Sequence, residues 1–421
     1  MFNYLNDNII KTTLSIIFFI LIVLIINNEI VGKIIWWFPD LFGDLKTPIK
    51  WLECHNNGLN YYNDKAAFTE CSKREFNYGK IFLETPYLKS FELFYIEILP
   101  YLLIFFSIFF IVKIIPINNF ISLSILTLAI FNPSTFLLFS GANIDLLIFL
   151  LLILTTFNRI YFINWFIYFY LTFVKVYPVV LFLGIFFENK NRNIVKILII
   201  YFLLFLISLI YLYFNFSEYV YFLNNLSGAK AGYHFLFSLN TFAKIFKYLL
   251  NLNYIFLLLI TYLIFFYLVI YVYKRMSLEL NKIKFVNNNF YNLEFKLFIT
   301  SSFLSILCYV FFSNFFHREI FLIGMIPFIL KLNETFKIYQ FRYFISLILI
   351  KLIFSYFYSY VNVNDGIQYV NNQRIFSNLF IIVMLMKGLI DYLLMILVSA
   401  LSLYCTKIFF ENFKYKILKL I

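Results

Sequence analysis

The chain has 421 residues, of which 63% are hydrophobic and 13% are charged, and it carries a formal net charge of +13. Soluble domains average about 45–50% apolar and about 25% charged residues. This composition therefore excludes a cytosolic enzyme, a disordered chain and a secreted disulfide scaffold. In a soluble protein the positive charge would favour nucleic acid as a partner. In a membrane protein it indicates basic loops that face anionic lipid and the cytoplasm, so no nucleic-acid partner is expected.

The apolar residues fall into runs that suit a bilayer, whose hydrocarbon core takes about 20 residues per helix. The clearest runs are residues 12–27, 94–112, 194–214, 254–273, 342–361 and 380–405. Shorter runs lie between them, at 119–139, 144–157, 161–174, 177–187, 297–313 and 320–330. The pattern predicts an all-α, polytopic integral membrane protein with about 10–13 transmembrane helices, formed as a single domain over residues 1–421.

Proline interrupts or flanks several of the shorter runs, at Pro133, Pro178 and Pro327. Short, broken helices in a membrane protein are tolerated where they are buried in protein or line a wet cavity. We therefore expect these segments to lie inside the protein or beside such a cavity.

The basic residues indicate how the chain crosses the membrane. If the N-terminus is cytoplasmic and the crossings alternate, the inner segments carry 18 Lys and Arg, and the short outer loops carry six. Cytoplasmic loops hold the excess of Lys and Arg in membrane proteins. The run after Lys11 is followed by no A-x-A-like cleavage site and is expected to remain as a helix. The sequence thus predicts a multi-pass protein of the cell (inner) membrane with both termini cytoplasmic.

The most polar stretch is the first extracytoplasmic loop, residues 28–92. It holds Cys54 and Cys71, which an oxidising outer compartment would join in a disulfide, worth about 3 kcal/mol for a loop of this size. Two free thiols are the alternative. A zinc site is disfavoured because His55 is the nearby histidine and no CxxC pair exists.

Asp44 stands out among the acidic residues of this loop. It follows Gly43, shortly after the aromatic run Trp36-Trp37-Phe38, and Trp favours the interfacial zone of a membrane. A carboxylate at the mouth of a membrane domain, partly desolvated, gains the basicity needed to take a proton from a sugar hydroxyl. Asp44 is therefore a candidate general base, although most acids in the loop are expected to be ordinary solvated charges.

A series of short motifs resembles the GT-C superfamily of membrane glycosyltransferases. The closest resemblance is to the branch of polyprenyl-phosphomannose-dependent mannosyltransferases of phosphatidylinositol mannosides and its bacterial relatives. The matching pieces are Gly43-Asp44-Leu45, Gly58-Leu59-Asn60-Tyr61-Tyr62, Phe76-Asn77-Tyr78-Gly79, Ser140-Gly141-Ala142-Asn143-Ile144-Asp145, Lys175-Val176-Tyr177-Pro178 and the polar break His317-Arg318-Glu319.

The resemblance implies transfer of a hexose or pentose from a polyprenyl-phosphate donor to a lipid or glycan acceptor on the extracytoplasmic face. Asp44 is the position that matches the catalytic base. The doubled acidic motif of oligosaccharyltransferase-like members is absent, so no metal is implied, and no cofactor is expected. The cysteine pair and the charged stretch 70–75 depart from the pattern and leave the acceptor open.

The family reaction also needs groups that bind the lipid phosphate or the sugar. Lys175, His317 and Arg318 are the candidates for the phosphate, because Arg suits bidentate contact and Lys a point-charge contact. Each residue has an alternative interpretation. Lys175 would extend to the membrane interface, and His317 would be an interfacial histidine with satisfied hydrogen bonds. Arg318 and Glu319 would pair with each other or with solvent.

The remaining substrate-binding candidates are Asn143, Asp145 and Tyr78. Asp145 has the alternative of a helix N-cap or first-turn acid, favoured by the helix dipole. Lys387 and Asp391 lie four residues apart in a predicted helix and are interpreted as a structural pair, which offsets the cost of charge in the membrane.

Two other functions compete with glycosyl transfer. A transporter or flippase of lipid-linked glycans would also have about twelve helices and buried charges, although no internal repeat is visible. A polymerase or ligase of surface polysaccharide would tend to carry its large outer loop later in the chain. The segment 217–253 is open to two interpretations, an acceptor groove or an amphipathic interfacial helix.

Overall fold

The computed structural model describes residues 2–28, 41–72, 76, 78–158, 160–175, 177–181, 194–225, 236–282, 293–311, 314–336, 339–364, 368–370, 373–375 and 377–418. Nearly all of them are helical. The helices of the first half are α1 (Phe2–Ile26), α2 (Gly43–Asn56), α3 (Lys65–Ser72), α4 (Lys80–Leu83), α5 (Leu99–Ile114), α6 (Phe120–Ile130), α7 (Pro133–Gly141), α8 (Ile144–Phe157), α9 (Tyr161–Val174), α10 (Ile194–Phe214) and α11 (Phe216–Asn225).

The second half continues with α12 (Asn240–Leu250), α13 (Tyr254–Lys282), α14 (Leu293–Phe311), α15 (Ile320–Ile323), α16 (Ile326–Phe336), α17 (Tyr339–Asn364) and α18 (Asn378–Leu418). Four short strands form two antiparallel pairs: β1 (Leu236–Phe237) with β2 (Asn314–Phe315), and β3 (Gln368–Val370) with β4 (Gln373–Ile375). The 3₁₀ turns Lys89–Phe91, Tyr177–Leu181 and Phe316–Glu319 and the π-helical turn Phe94–Ile98 complete the elements used below.

Six of the described helical stretches are long and apolar enough to cross a bilayer, and the bent pair α6–α7 adds a seventh if it counts as one span. The six are Asp7–Ile26, Phe94–Ile114, Tyr254–Asn281, Leu293–Val310, Gln340–Asn362 and Asn378–Glu411. The protein is thus an all-α, multi-pass membrane protein, as the sequence predicts. The larger predicted number of crossings also counted short apolar runs, several of which form helices such as α8 and α9.

Burial separates helices that face lipid from helices that face protein. Only 17% of the apolar window in α13 is buried, whereas 72% of the window in α14 is buried. A helix with large apolar side chains on most of its surface is stable only where hydrocarbon replaces water. α13 therefore presents its surface to lipid, and α14 packs inside the protein.

Contacts divide the chain into two compact units. The larger unit contains Met1–Pro39, Ile108–Leu137 and Gly228–Ile421, and the smaller unit contains Asp40–Ser107 and Leu138–Ser227. Each unit draws on separate parts of the sequence, so neither is a continuous segment.

The first predicted outer loop contains helices in its described part. Helices α2, α3 and α4 surround an aromatic core in which Trp51, Tyr61 and Phe68 are at most 3% exposed. A disulfide joins Cys54 of α2 to Cys71 of α3, which is the pairing favoured by the sequence. The aromatic packing and the covalent bond hold this polar stretch as a folded part of the smaller unit.

Candidate functional site

Asp44 lies in the first turn of α2, where a carboxylate is favoured by the helix dipole. Its side chain is half-buried, and its Oδ2 atom accepts a hydrogen bond from Asn143 Nδ2 at 3.0 Å. Phe42, two residues before Asp44 and the N-cap of α2, has a positive φ of 61°, and its N–H donates to the carbonyl of Ser140 at 2.7 Å. A bulky residue in this conformation is uncommon, so the backbone is constrained just before the candidate base.

Asn143 connects Asp44 to the start of α8. As the N-cap of that helix, its Oδ1 accepts a hydrogen bond from the backbone N–H of Asp145 at 3.0 Å. Its Nδ2 is the group that donates to Asp44, so one amide serves both contacts. Ala142, directly before it, has a positive φ of 46°. Strained residues of this kind cluster at functional sites, and here they precede both ends of the Asp44–Asn143 contact.

Asp145 and Lys175 form a buried ion pair beyond Asn143. The Asp145 side chain is fully buried, the Lys175 side chain is 12% exposed, and the ammonium contacts Asp145 Oδ1. The same ammonium lies 5.1 Å from the centre of the Tyr78 ring, which is within the range of a cation–π contact. Charges are seldom buried unless they are paired. Asn143 caps the helix that carries Asp145, and the Tyr78 ring packs against the Lys175 ammonium.

A close approach of two chain segments fixes Tyr78 beside Lys175. The N–H of Gly79 donates to the carbonyl of Val174 at 3.1 Å. A Cβ atom at position 79 would lie 1.9 Å from the carbonyl oxygen of Phe173, so only glycine fits without a backbone shift. The hydroxyl of Tyr219 donates to that oxygen at 2.6 Å. Burial raises the pKa of Tyr219, which keeps this donor protonated.

Five of the sequence-predicted site residues therefore lie in one connected chain: Asp44, Asn143, Asp145, Lys175 and Tyr78. Lys175 pairs with Asp145. Asp145 is indeed a first-turn acid of its helix, and it has this second role as well. Thirty residues separate the two partners, and no sequence periodicity indicates such a contact.

His317 and Arg318 lie in the larger unit, on the 3₁₀ turn Phe316–Glu319. Arg318 is half-buried, and the side chain of His317 lies outside the described residues. The aromatic run Trp36-Trp37-Phe38 also lies outside them. The phosphate-binding role of His317 and Arg318 remains a prediction.

A second group of charged side chains lies in the larger unit and consists of Glu319, Lys351, Lys387 and Asp391. The sequence analysis did not connect Glu319 with Lys351. Glu319 contacts Lys351 at 3.0 Å and Lys387 at 2.8 Å. Asp391 contacts the same two lysines, at 2.7 Å in the case of Lys387. The four side chains, each at most 7% exposed, thus form a closed ring of alternating charge. We call it the charge ring.

The charge ring bears on two interpretations drawn from the sequence. The Lys387–Asp391 pair forms at the predicted spacing of four residues. Glu319 binds Lys351 and Lys387, whereas the sequence left its pairing with Arg318 or with solvent as an open alternative. Lys351 and Glu319 lie far from each other in the sequence, and only packing brings them together.

A small cavity lies beside the charge ring within the larger unit. Its polar lining consists of Asn132, Ser134, Thr135, Glu319 and Lys351, and the rest of its lining is apolar. About 30 Å³ is open to the centres of water molecules, which is room for about two waters at roughly 10–15 Å³ each. The cavity meets the break between α6 and α7, as expected for a broken membrane helix.

Within the described residues, no group of three or more His, Cys, Asp or Glu side chains is arranged to hold a metal ion. The chemistry available to the described part of the site is that of a carboxylate, an amide and a paired ammonium. Comparison of the chain with protein-family models, with curated proteins and with solved structures finds no match.

Proposed function

We propose that this protein is a membrane glycosyltransferase that moves a sugar from a polyprenyl-phosphate donor to a lipid or glycan acceptor on the extracytoplasmic face. The observation that carries the proposal is the connected chain from Asp44 through Asn143 to the Asp145–Lys175 pair. It joins a half-buried carboxylate to a fixed cation in a membrane protein. A reaction that takes a proton from a hydroxyl and releases a phosphate needs groups of these two kinds.

In the proposed reaction Asp44 is the general base. It takes the proton of the acceptor hydroxyl while that oxygen forms a bond to the anomeric carbon of the donor sugar. The bond from the anomeric carbon to the phosphate oxygen breaks, and polyprenyl phosphate leaves with the electron pair. Asn143 holds one oxygen of the Asp44 carboxylate, which limits its rotation and keeps its basic oxygen aimed in one direction.

Lys175 is proposed to contact the donor phosphate. Its ammonium pairs with Asp145, and an ammonium has three N–H groups that can donate, so it can serve Asp145 and a phosphate oxygen together. The Tyr78 ring limits where the ammonium can move. In this proposal both termini of the chain are cytoplasmic.

The charge ring favours a transporter or flippase of lipid-linked glycans as the second candidate. Ionisable residues inside membrane-spanning helices are often part of a transport pathway, and Lys351, Lys387 and Asp391 lie in two such helices. However, each carboxylate of the ring is bound to both lysines, which is the arrangement of a structural cluster. Glycosyl transfer is therefore the proposal that we carry forward.

The test is sugar transfer by membranes that contain the wild type or Asp44→Asn. The substitution removes the base and keeps the size of the side chain, so we expect the rate to fall on the order of 10²- to 10⁴-fold, with normal expression and membrane insertion. Asp64→Asn is the matched control. Asp64 is an exposed acid of the same unit whose Oδ1 accepts the N–H of Ala67, a contact that asparagine can keep. Wild-type rates in Asp44→Asn, or equal losses in both variants, would reject the assignment.

A further inference from the structure

The small cavity of the larger unit is lined by two members of the charge ring and by three polar residues at the break between α6 and α7. Glu319 and Lys351 belong to the ring, and Asn132, Ser134 and Thr135 lie at the break. Each of the five is at most 6% exposed. Buried polar groups are hydrogen-bonded, either to protein or to ordered water, so the remaining capacity of these five decides what the cavity can hold.

The residues at the break donate to protein atoms and keep acceptor capacity. The hydroxyl of Ser134 donates to Asn132 Oδ1 at 2.7 Å, and that of Thr135 donates to the carbonyl of Ala129 at 2.8 Å. A hydroxyl has one donor and two acceptor lone pairs, so both oxygens can still accept. The Asn132 amide donates to the carbonyl of Leu352 at 3.3 Å and has a second N–H. The break therefore has both acceptors and a donor for a small polar molecule.

The two ring members at the cavity also keep hydrogen-bonding capacity. The Lys351 ammonium contacts Glu319 and Asp391, which accounts for two of its three N–H groups. Each oxygen of the Glu319 carboxylate contacts one lysine and has a further lone pair. The ring can thus donate and accept one more hydrogen bond at the cavity without losing any contact of its own.

We propose that this cavity is a binding site for two water molecules, which connect the charge ring to the break between α6 and α7 by hydrogen bonds. The volume open to water centres is about 30 Å³, and each water needs roughly 10–15 Å³ of it. A buried water makes about three hydrogen bonds, and the lining has donors and acceptors for them. Water re-satisfies polar groups at breaks in membrane helices in the same way.

Water fits this lining better than the two other kinds of occupant. A cavity that stays dry has an apolar lining, whereas this one contains five buried polar side chains. A metal cation would lie beside the ammonium of Lys351, which lines the same cavity, and like charges repel strongly where water is scarce. A neutral molecule that both donates and accepts meets neither objection.

Two buried methionines of the larger unit provide a matched test. Met325 lines the cavity and is 2% exposed, whereas Met384 is 4% exposed and packs in a separate cluster of buried hydrophobic residues. X-ray pulses convert bound water to hydroxyl radicals, which oxidise a neighbouring methionine sulfur to the sulfoxide. Both side chains are closed to bulk water, so their oxidation reports internal water.

In the purified wild type in detergent, we expect Met325 to be oxidised by the pulse and Met384 to remain at the background level, as read by mass spectrometry of peptides. Background oxidation of both methionines would overturn the proposal. Binding of xenon in the cavity, detected by xenon NMR, would also overturn it, because a dry cavity binds this gas.

Filling the cavity should remove the water and the oxidation together. Ala129 lines the cavity, so Ala129→Val adds two methyl groups at its wall and should abolish the oxidation of Met325. Ala243→Val is the matched control, because Ala243 is equally buried and is not part of the cavity lining, and it should keep that oxidation. Undiminished oxidation in Ala129→Val would contradict the site.

Thr135→Val is the variant to use if Ala129→Val does not fold. It keeps the size of the side chain and removes an acceptor for water, so it should reduce the oxidation of Met325. A bound cation is tested by the unfolding temperature of the wild type in sodium, potassium and choline chloride at equal ionic strength. A water site predicts the same temperature in all three salts, and specific stabilisation by sodium or potassium would establish a cation site instead.

Discussion

Two buried charged groups in the described part of the protein differ in how their contacts are arranged. In the larger unit, the charge ring is closed, because each carboxylate binds both lysines and each lysine binds both carboxylates. In the smaller unit, the described contacts form a linear chain that runs from the buried Asp145–Lys175 pair through Asn143 to the half-buried Asp44. All four side chains of the ring are buried, whereas the linear chain includes a carboxylate that is only half-buried.

This difference suggests separate roles for the two groups. Buried charges are costly unless they are paired, and breaking a buried pair is strongly destabilising. The charge ring should therefore respond to substitution through stability. The linear chain should respond mainly through activity. Substitutions in the two groups test that contrast.

Removing one cation from the charge ring should have the largest effect. Lys387→Met leaves two carboxylates to share Lys351, and we expect a loss of about 3–5 kcal/mol in the free energy of unfolding. The charge-balanced double variant Lys387→Met/Asp391→Asn keeps the Glu319–Lys351 pair and should recover most of that loss. Unfolding in mixed detergent micelles measures both. A double variant as unstable as the single one would show that the ring is not a closed electrostatic unit.

Loss of the disulfide should destabilise the smaller unit by less. Cys54→Ala/Cys71→Ala removes the bond between α2 and α3, and the expected cost is about 3 kcal/mol, read from thermal unfolding. Reductant should lower the unfolding temperature of the wild type and leave that of the double variant unchanged. Sensitivity of the double variant to reductant would assign the effect to Cys308 or Cys405, the other two cysteines.

Asn143→Ala should separate the two roles of this side chain. Loss of the N-cap should cost about 1 kcal/mol of stability, and loss of the hydrogen bond to Asp44 should slow sugar transfer on the order of tenfold. Asn119→Ala is the matched control, because Asn119 caps α6 in the same way and does not contact Asp44 in the described structure. Equal activity in the two variants would remove Asn143 from the site.

The Lys80–Glu218 pair should give the smallest effect, and it should depend on pH. Burial acts to raise the pKa of Glu218, but hydrogen bonds from its own backbone N–H, Ser217 and Lys80 outweigh that and lower it. A carboxylate with a lowered folded-state pKa stabilises the protein above its unfolded pKa of about 4.3. That stabilisation is lost as the pH falls through the folded value.

The pair contributes less than about 1 kcal/mol, because both side chains are partly exposed. The unfolding temperature of Glu218→Gln should therefore lie slightly below that of the wild type at pH 7, and the gap should close in acid. A gap in unfolding temperature that widens as the pH falls would show that folding does not lower the pKa of Glu218.

Sequence reasoning located the membrane helices well, because hydropathy reports the solvent of each segment directly. The predicted runs 254–273 and 342–361 lie within α13 and α17, which are candidate membrane spans. The run 194–214 forms a helix that is not among the spans found in the described residues, whereas the shorter predicted run 297–313 falls largely within the span Leu293–Val310. The Lys387–Asp391 pair was also predictable, because residues four apart share a helix face. These features depend on local periodicity, which a single sequence contains.

Contacts between distant segments were not predictable in the same way. Lys175 meets Asp145 across 30 residues and Lys387 meets Glu319 across 68, and neither spacing has a periodic signal. Asp44 and Asn143 were both candidates through the family resemblance, but their hydrogen bond across 99 residues emerged only from the fold. The partners of Glu319 were not predictable either, because the opposite charge nearest to it in the sequence is that of its neighbour Arg318.

The most direct test of the central claim uses purified protein in detergent, where no membrane separates two compartments and transport cannot register. Radiolabelled polyprenyl-phosphate sugar is mixed with candidate lipid and glycan acceptors, and the release of polyprenyl phosphate is followed together with transfer of the label. We predict that the wild type breaks the sugar–phosphate bond and passes the label to an acceptor, and that Asp44→Asn does both on the order of 10²- to 10⁴-fold more slowly. An intact donor in detergent, together with movement of lipid-linked glycan across vesicles that contain the protein, would contradict the account and establish a transporter.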